Sequence, residues 1–253
     1  TEPPAPVAAA MAESDVFVAP TTKSLSHTRA RGAACAADAR GATLPGITQS
    51  VFETGLDADY DAIDAACDSV LAAVGDASTV RVTAPAGTDL TVEVGDREWL
   101  ADRGVVHAPG AFSNLPAGEV FLAPETASGT VVVDGTMLPH GRLESGRSVS
   151  IEVADGLVTT IDDDAVRADV EAAAASVGDD AYTFAELGIG TNVGVDRLVG
   201  SVLLDEKAAG TIHVAIGDNA GIGGDTDAPI HLDGVVRDPT VYADGEPVEL
   251  PTP

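Results

Sequence analysis

The chain has 253 residues and is 45% hydrophobic, enough to bury a sizeable core in one large domain or two small ones. It carries 41 acidic residues against 13 basic ones, for a net charge of -28 and a pI of about 4.1. This balance offers no basic patch to phosphates, which excludes nucleic acid as an expected partner, and no apolar run reaches the ~20 residues that span a membrane.

Asp and Glu are spread between well-formed apolar segments, so the acidity reads as a folded surface and not as a disordered tail. Only two basic residues are lysines, Lys23 and Lys207. An acidic, lysine-poor surface is what a cytoplasmic protein of a salt-in halophile needs, because at molar salt the Debye length falls to about 3 Å and self-repulsion is screened. Cys35 and Cys67 are too few for a disulfide framework and are expected to be free. The opening TEPPAPVAAAM, with Thr1 in place of Met, reads as a start inside a longer protein.

In chain order, Asp15 to Pro20 is a short apolar strand, and Ser26 to Ala39 is a helix with Ser24 or Ser26 as its cap. His27 and Arg29 in that segment are assigned to a helix surface or domain interface. Ala42 to Pro45 is a brief strand or turn. Asp59 to Val74 places Ile63, Ala66, Val70, Leu71 and Val74 at helical spacing. From Thr79 the pattern becomes strand-like: Val80–Thr83 and Leu90–Val94 alternate as a pair, and Val131–Val133 is a further strand. Ser148–Val153 and Leu157–Ile161 flank an Asp155-Gly156 turn, Ile161 to Val177 is a helix stopped by Gly178, and Thr240 to Glu249 forms a hairpin about Asp244-Gly245. The expected architecture is α+β: residues 1–77 as part of an N-terminal α/β layer, then 78–253 as a β-rich metal-binding domain.

The chemistry is expected around Gly210 to Val236. Two apolar strand-like runs each carry one histidine, His213 and His231, and a glycine-rich loop joins them. Asp233 follows His231 by two positions, so on a strand both side chains share one face. Glu119 enters an apolar run behind a Pro/Gly turn, and Glu186 lies in a glycine-flanked apolar run. Two histidines with carboxylates are a common ligand set for Zn, Mn, Co or Fe. All five together fit two divalent ions about 3.5–4 Å apart.

The segments NLPAGEVFLAP, AELGIGTN, GTIHVAIGDNAGIGG and APIHLDGVV resemble, in order, the M29 family of metallo-aminopeptidases, the aminopeptidase T type, and most closely its leucyl-aminopeptidase-like branch. That group is related to ring-cleaving 2,5-dihydroxypyridine dioxygenases. The resemblance covers the chain from about Ser24 onward. It implies Glu119, Glu186, His213, His231 and Asp233 as metal ligands, an N-terminal domain whose first part precedes this chain, and a homodimer. The chain departs from the peptidases at Ala220, where they carry a tyrosine, and at Gly234-Val235-Val236.

The first function expected on this basis is an aminopeptidase acting on peptides, with Zn, Co or Mn activating a water and Glu186 as general base. The alternative is a mononuclear Fe(II) dioxygenase with His213, His231 and Asp233 as ligands and both glutamates outside the first ring of contacts. A degenerate metal-binding relative is the third reading.

Overall fold

The computed structural model describes residues 2–26 and 28–253; His27 lies outside them. The first part alternates helices and short strands: α1 (Ala5–Ala12), β1 (Val16–Ala19), α2 (Arg29–Ala36), β2 (Arg40–Thr43), α3 (Gln49–Gly55) and α4 (Tyr60–Val74). The cap of α2 is Thr28, whose side chain accepts from the Arg31 backbone N–H, and neither Ser24 nor Ser26 takes that role. Arg29 stands on the surface with its side chain 92% exposed. At α4 the Asp59 carboxylate accepts from the N–H groups of Asp61 and Ala62, two donors that the first helical turn leaves unpaired.

Strands then dominate: β3 (Thr79–Thr83), β4 (Asp89–Glu93), β5 (Leu100–Asp102), β6 (Phe112–Asn114), β7 (Glu119–Leu122), β8 (Thr126–Val133), β9 (Thr136–Met137), β10 (Gly141–Arg142), β11 (Val149–Ala154) and β12 (Leu157–Ile161). Helix α5 (Asp164–Val177) follows, starting later than expected because Ile161 still belongs to β12 and Asp163 supplies the cap. The chain ends with β13 (Phe184–Gly190), α6 (Val202–Asp205), β14 (Ile212–Gly217), β15 (His231–Val236), β16 (Thr240–Ala243) and β17 (Glu246–Val248). Both expected Asp-Gly hairpins are present, with Asp155 and Gly156 at φ 51° and 80° and Asp244 and Gly245 at 47° and 88°. Positive φ at both central residues is what a two-residue turn matched to strand twist requires.

Strands β1, β2 and β6 form a parallel sheet in that order. Its third strand comes from beyond residue 77, so this layer draws on both sides of the expected division. Helix α4 crosses the other way: Ile63, Cys67, Val70 and Val74 are fully buried in the main core. Two seven-stranded sheets share that core, one ordered β12-β11-β8-β4-β3-β16-β17 and the other β10-β9-β15-β14-β13-β7-β5. The fold is therefore α+β and strand-rich. Both cysteines are free. Among the described residues no helix is long and apolar enough to cross a membrane.

Candidate metal centre

Four neighbouring strands of the second large sheet, β15-β14-β13-β7, build the site. Their pairing puts Gly190 opposite Glu119, Gly188 opposite His213, and Ala215 opposite both Glu186 and Asp233. Strand alternation then places Glu119, Glu186, His213, His231 and Asp233 on one face. The intervening residues Val120, Leu187, Ile189, Val214 and Leu232 turn to the other face and join the core. The segments that looked apolar with a single charge are strands with one apolar and one chemical face, buried throughout in β13 and β14 and partly open at His231 and Asp233 on β15. Gly188 makes room for one of these side chains. A Cβ there would sit 2.1 Å from the His213 ring, so the imidazole lies flat across β13 only because that residue is glycine.

All five expected residues are brought together. His213 Nε2 lies 3.2 Å from Glu186 Oε1 and 3.4 Å from Glu119 Oε2. His231 Nε2 lies 3.2 Å from Glu186 Oε2 and 3.2 Å from Asp233 Oδ1, and its Nδ1 is 2.7 Å from the Asp218 carbonyl oxygen. The donors form two compact groups, Glu119–Glu186–His213 and Glu186–His231–Asp233, with Glu186 common to both. His213 Nδ1 is buried without a hydrogen-bond partner among the described residues, so Gly188 and the carboxylates alone set that ring's orientation.

Burial pushes the Glu186 carboxyl up, but hydrogen bonds from His213 and His231 prevail and hold it well below the ordinary range. Burial likewise lowers the imidazoles, and the surrounding carboxylates overcome it, raising His213 to about 9 and His231 well above its ordinary value.

These residues fit a divalent ion. Ligand atoms about 2.1 Å from one ion stand roughly 3.0–3.4 Å apart at octahedral to tetrahedral angles, and the observed spacings of 3.2–3.4 Å match. The charge also calls for one: Glu119, Glu186, Glu206 and Asp233 face the cleft, with the Lys207 ammonium among them.

Sequence reading missed Lys207 and Glu206. Lys207 is 1% exposed, pairs with Glu119, and lies 2.8 Å from Glu206. Burial opposes its charge, but Glu119 and Glu206 hold its proton above the ordinary lysine range. One ammonium does not offset every carboxylate around it, so burial wins at Glu119, which rises to about 7. Asp102, opposite Glu119 on β5, rises to about 7 for the same reason and accepts from Ser113 Oγ and the Asn114 N–H. The available signal was composition: a lysine kept in Ser201–Gly210 of a chain with two lysines in all.

The cleft above these residues holds about 350 Å³, and its apolar wall includes Phe121, Leu138, Leu203 and Ile222. The family model described as NicX, 2,5-dihydroxypyridine 5,6-dioxygenase, matches residues 3–250. The chain belongs to that family. A curated 2,5-dihydroxypyridine 5,6-dioxygenase of Pseudomonas putida is 25% identical over 186 residues, covering 69% of this chain and 53% of the relative. The chain thus spans about half the length of the curated relative it matches. The solved 2,5-dihydroxypyridine dioxygenase of Pseudomonas putida KT2440 has a TM-score of 0.78 at 22% identity, over 96% of this chain and 72% of that one. Wild-type AmpT of Thermus thermophilus has a TM-score of 0.65 at 18% identity, over 97% and 80%. These two likenesses are of fold.

Membership in the dioxygenase family overturns the expectation of a hydrolase, since the family and the curated relative are both described as dioxygenases. The physical reason is that the four motifs build a sheet face of carboxylates and imidazoles. Such a face reports metal binding without fixing the reaction run on it. The departures at Ala220 and Gly234-Val235-Val236 were the residues that spoke against a peptidase. A divalent metal cofactor, Fe(II) in the dioxygenase family, agrees with the site.

Proposed function

We propose that this chain carries the active centre of an Fe(II)-dependent ring-opening dioxygenase acting on a hydroxylated nitrogen heterocycle of the 2,5-dihydroxypyridine type. The observation that carries the metal assignment is the convergence of two imidazoles, from β14 and β15, on opposite oxygens of the buried Glu186, each at 3.2 Å. The family match over residues 3–250 supports the reaction class.

The residues that would hold the ion in this reading are Glu186, His231 and Asp233, one of the two compact groups, with His213 against the other oxygen of Glu186; the expected set of His213, His231 and Asp233 is not itself brought within mutual ligand reach. A ferrous ion held there supplies the redox chemistry by which dioxygen reacts with an aromatic ring. Gly188 and the Asp218 carbonyl fix the two imidazole planes. Lys207 pins the Glu119 carboxylate beside the ligand group, where it orients a ring hydroxyl. Phe121, Leu203 and Ile222 exclude water from a flat ring. The cleft, at about 350 Å³, is near the small end of ligand sites (~300–1,000 Å³), which suits a single-ring substrate.

The test is oxygen uptake by anaerobically iron-loaded protein in molar salt on adding 2,5-dihydroxypyridine. One dioxygen consumed per ring lost is the expected result. A fully iron-loaded protein that consumes none refutes the reading.

A further inference from the structure

The cleft is poor in free donors. Its carboxylates are acceptors, and the Lys207 ammonium is already engaged by Glu119 and Glu206. Two side-chain amides on its wall are different. Asn114 is the last residue of β6, at the carboxyl end of the parallel sheet, where ligands of such sheets bind. Its Oδ1 accepts from Ser26 Oγ at 2.7 Å and from Thr43 Oγ1 at 2.6 Å. Asn219, in the glycine-rich loop, is 5% exposed, and its Oδ1 accepts from the Thr226 N–H at 2.8 Å. Gly224 lies against that amide so closely that a Cβ there would be 2.1 Å from its Cγ.

An amide has one acceptor oxygen and two N–H donors. In Asn219 the Thr226 N–H, which can only donate, fixes which way the amide faces; in Asn114 the oxygen sits against the Ser26 and Thr43 hydroxyls, which also bond each other. The Nδ2 groups meet no acceptor among the described residues, and both residues line the cleft. They are oriented donors awaiting acceptors.

We propose that Asn114 and Asn219 are specificity-determining residues whose Nδ2 groups donate to oxygen substituents of the ring. The inference rests on the ring-substrate reading above. A site built to hydrogen-bond an oxygen discriminates strongly against an analogue that lacks it, because its own donors are then left buried and unpaired.

The test compares anaerobic equilibrium binding of 2,5-dihydroxypyridine and unsubstituted pyridine to the iron-loaded protein. The variants are Asn114→Asp and Asn219→Asp, which keep Oδ1 and replace the donor, and Asn114→Ala and Asn219→Ala. Iron content and melting temperature serve as controls of folding. The preference of the wild type for the dihydroxy ring should fall at least about tenfold in each Asp variant, and similarly in the Ala variants. An unchanged preference overturns the proposal. So does a loss confined to the Asp variants, which assigns the effect to added charge. Wild-type protein that binds the ring but consumes no oxygen overturns the reaction while the binding comparison still decides the amides. Binding of neither ring overturns both.

Discussion

Lys207 and Glu119 form an ion pair sealed from solvent, at 1% and 5% exposure. The pair joins the α6 side of the cleft to the first residue of β7. Lys207→Met keeps most of the volume and removes the ammonium that faces Glu119 and Glu206. Breaking a buried pair in this way typically costs about 3–5 kcal/mol, because the partner charge stays buried. Denaturant midpoints should show that loss, and Lys207→Met/Glu119→Gln should recover part of it. Unchanged stability of the single variant would show that the pair is not closed in solution.

Glu186→Gln preserves shape and removes the charge on which both imidazoles converge. Metal affinity, read by competition with a chromophoric chelator, should fall by at least about 100-fold. His231→Ala and Asp233→Ala should do the same. Undiminished iron content in all three would remove these residues from the ligand set.

Gly188→Ala drives a methyl group into the His213 ring. Overpacking of this kind typically costs about 1–3 kcal/mol. Here it should also displace the imidazole that lies against Glu186, so the variant should lose metal affinity as well as melting temperature. A variant that melts early but binds iron normally would separate the cradle from the site.

Asp163 caps α5 and lies 2.8 Å from His140 Nε2. Burial pushes its carboxyl up, but His140 and the N–H groups of Val166 and Ala165 outweigh it and hold it at about 2, against 3.8 ordinarily. A carboxyl depressed by folding stabilises the fold above its unfolded value, and that contribution fades as pH falls from about 4 to about 2. Asp163→Ala should cost about 1–2 kcal/mol at pH 7. In urea titrations the gap between variant and wild type should close near pH 2; a gap independent of pH would contradict the assignment.

The net charge of -28 makes salt the largest solution variable. Raising ionic strength from about 0.1 M to 1 M shortens the Debye length from about 10 Å to about 3 Å. Melting temperature should climb over that range, and one indifferent to salt would refute the halophilic reading.

The long periodic elements were legible in the sequence, α4 and the two Asp-Gly hairpins among them, because local propensity and tertiary packing agree there. So were the five ligand candidates, since a charge inside an apolar strand is costly unless it is used. Helix α1 escaped notice because APVAAAMA has no polar face to give it a period, and α3 because the short QSVFETG run shows little pattern. Lys207, Asn114 and Asn219 were invisible as site residues for another reason. Their neighbours in sequence are not their neighbours in space, and pairings such as Lys207 with Glu119 exist only once β6, β7 and the glycine-rich loop are in place. The reaction was misread for a third reason, namely that donors on a sheet face determine affinity for an ion and leave the ion's chemistry open.

Asn114 closes the small parallel sheet and Glu119 opens its strand in the large one, with only Leu115–Gly118 between them. Five backbone steps reach at most roughly 17 Å even when fully stretched. The link is a tether between two walls of the cleft, and Pro116, Ala117 and Gly118 within it are buried. These walls part no further than that without pulling β6 from β2 or β7 from β13. The separation of these two walls is therefore set by a rigid frame, and one residue inserted or deleted in this stretch should change it directly.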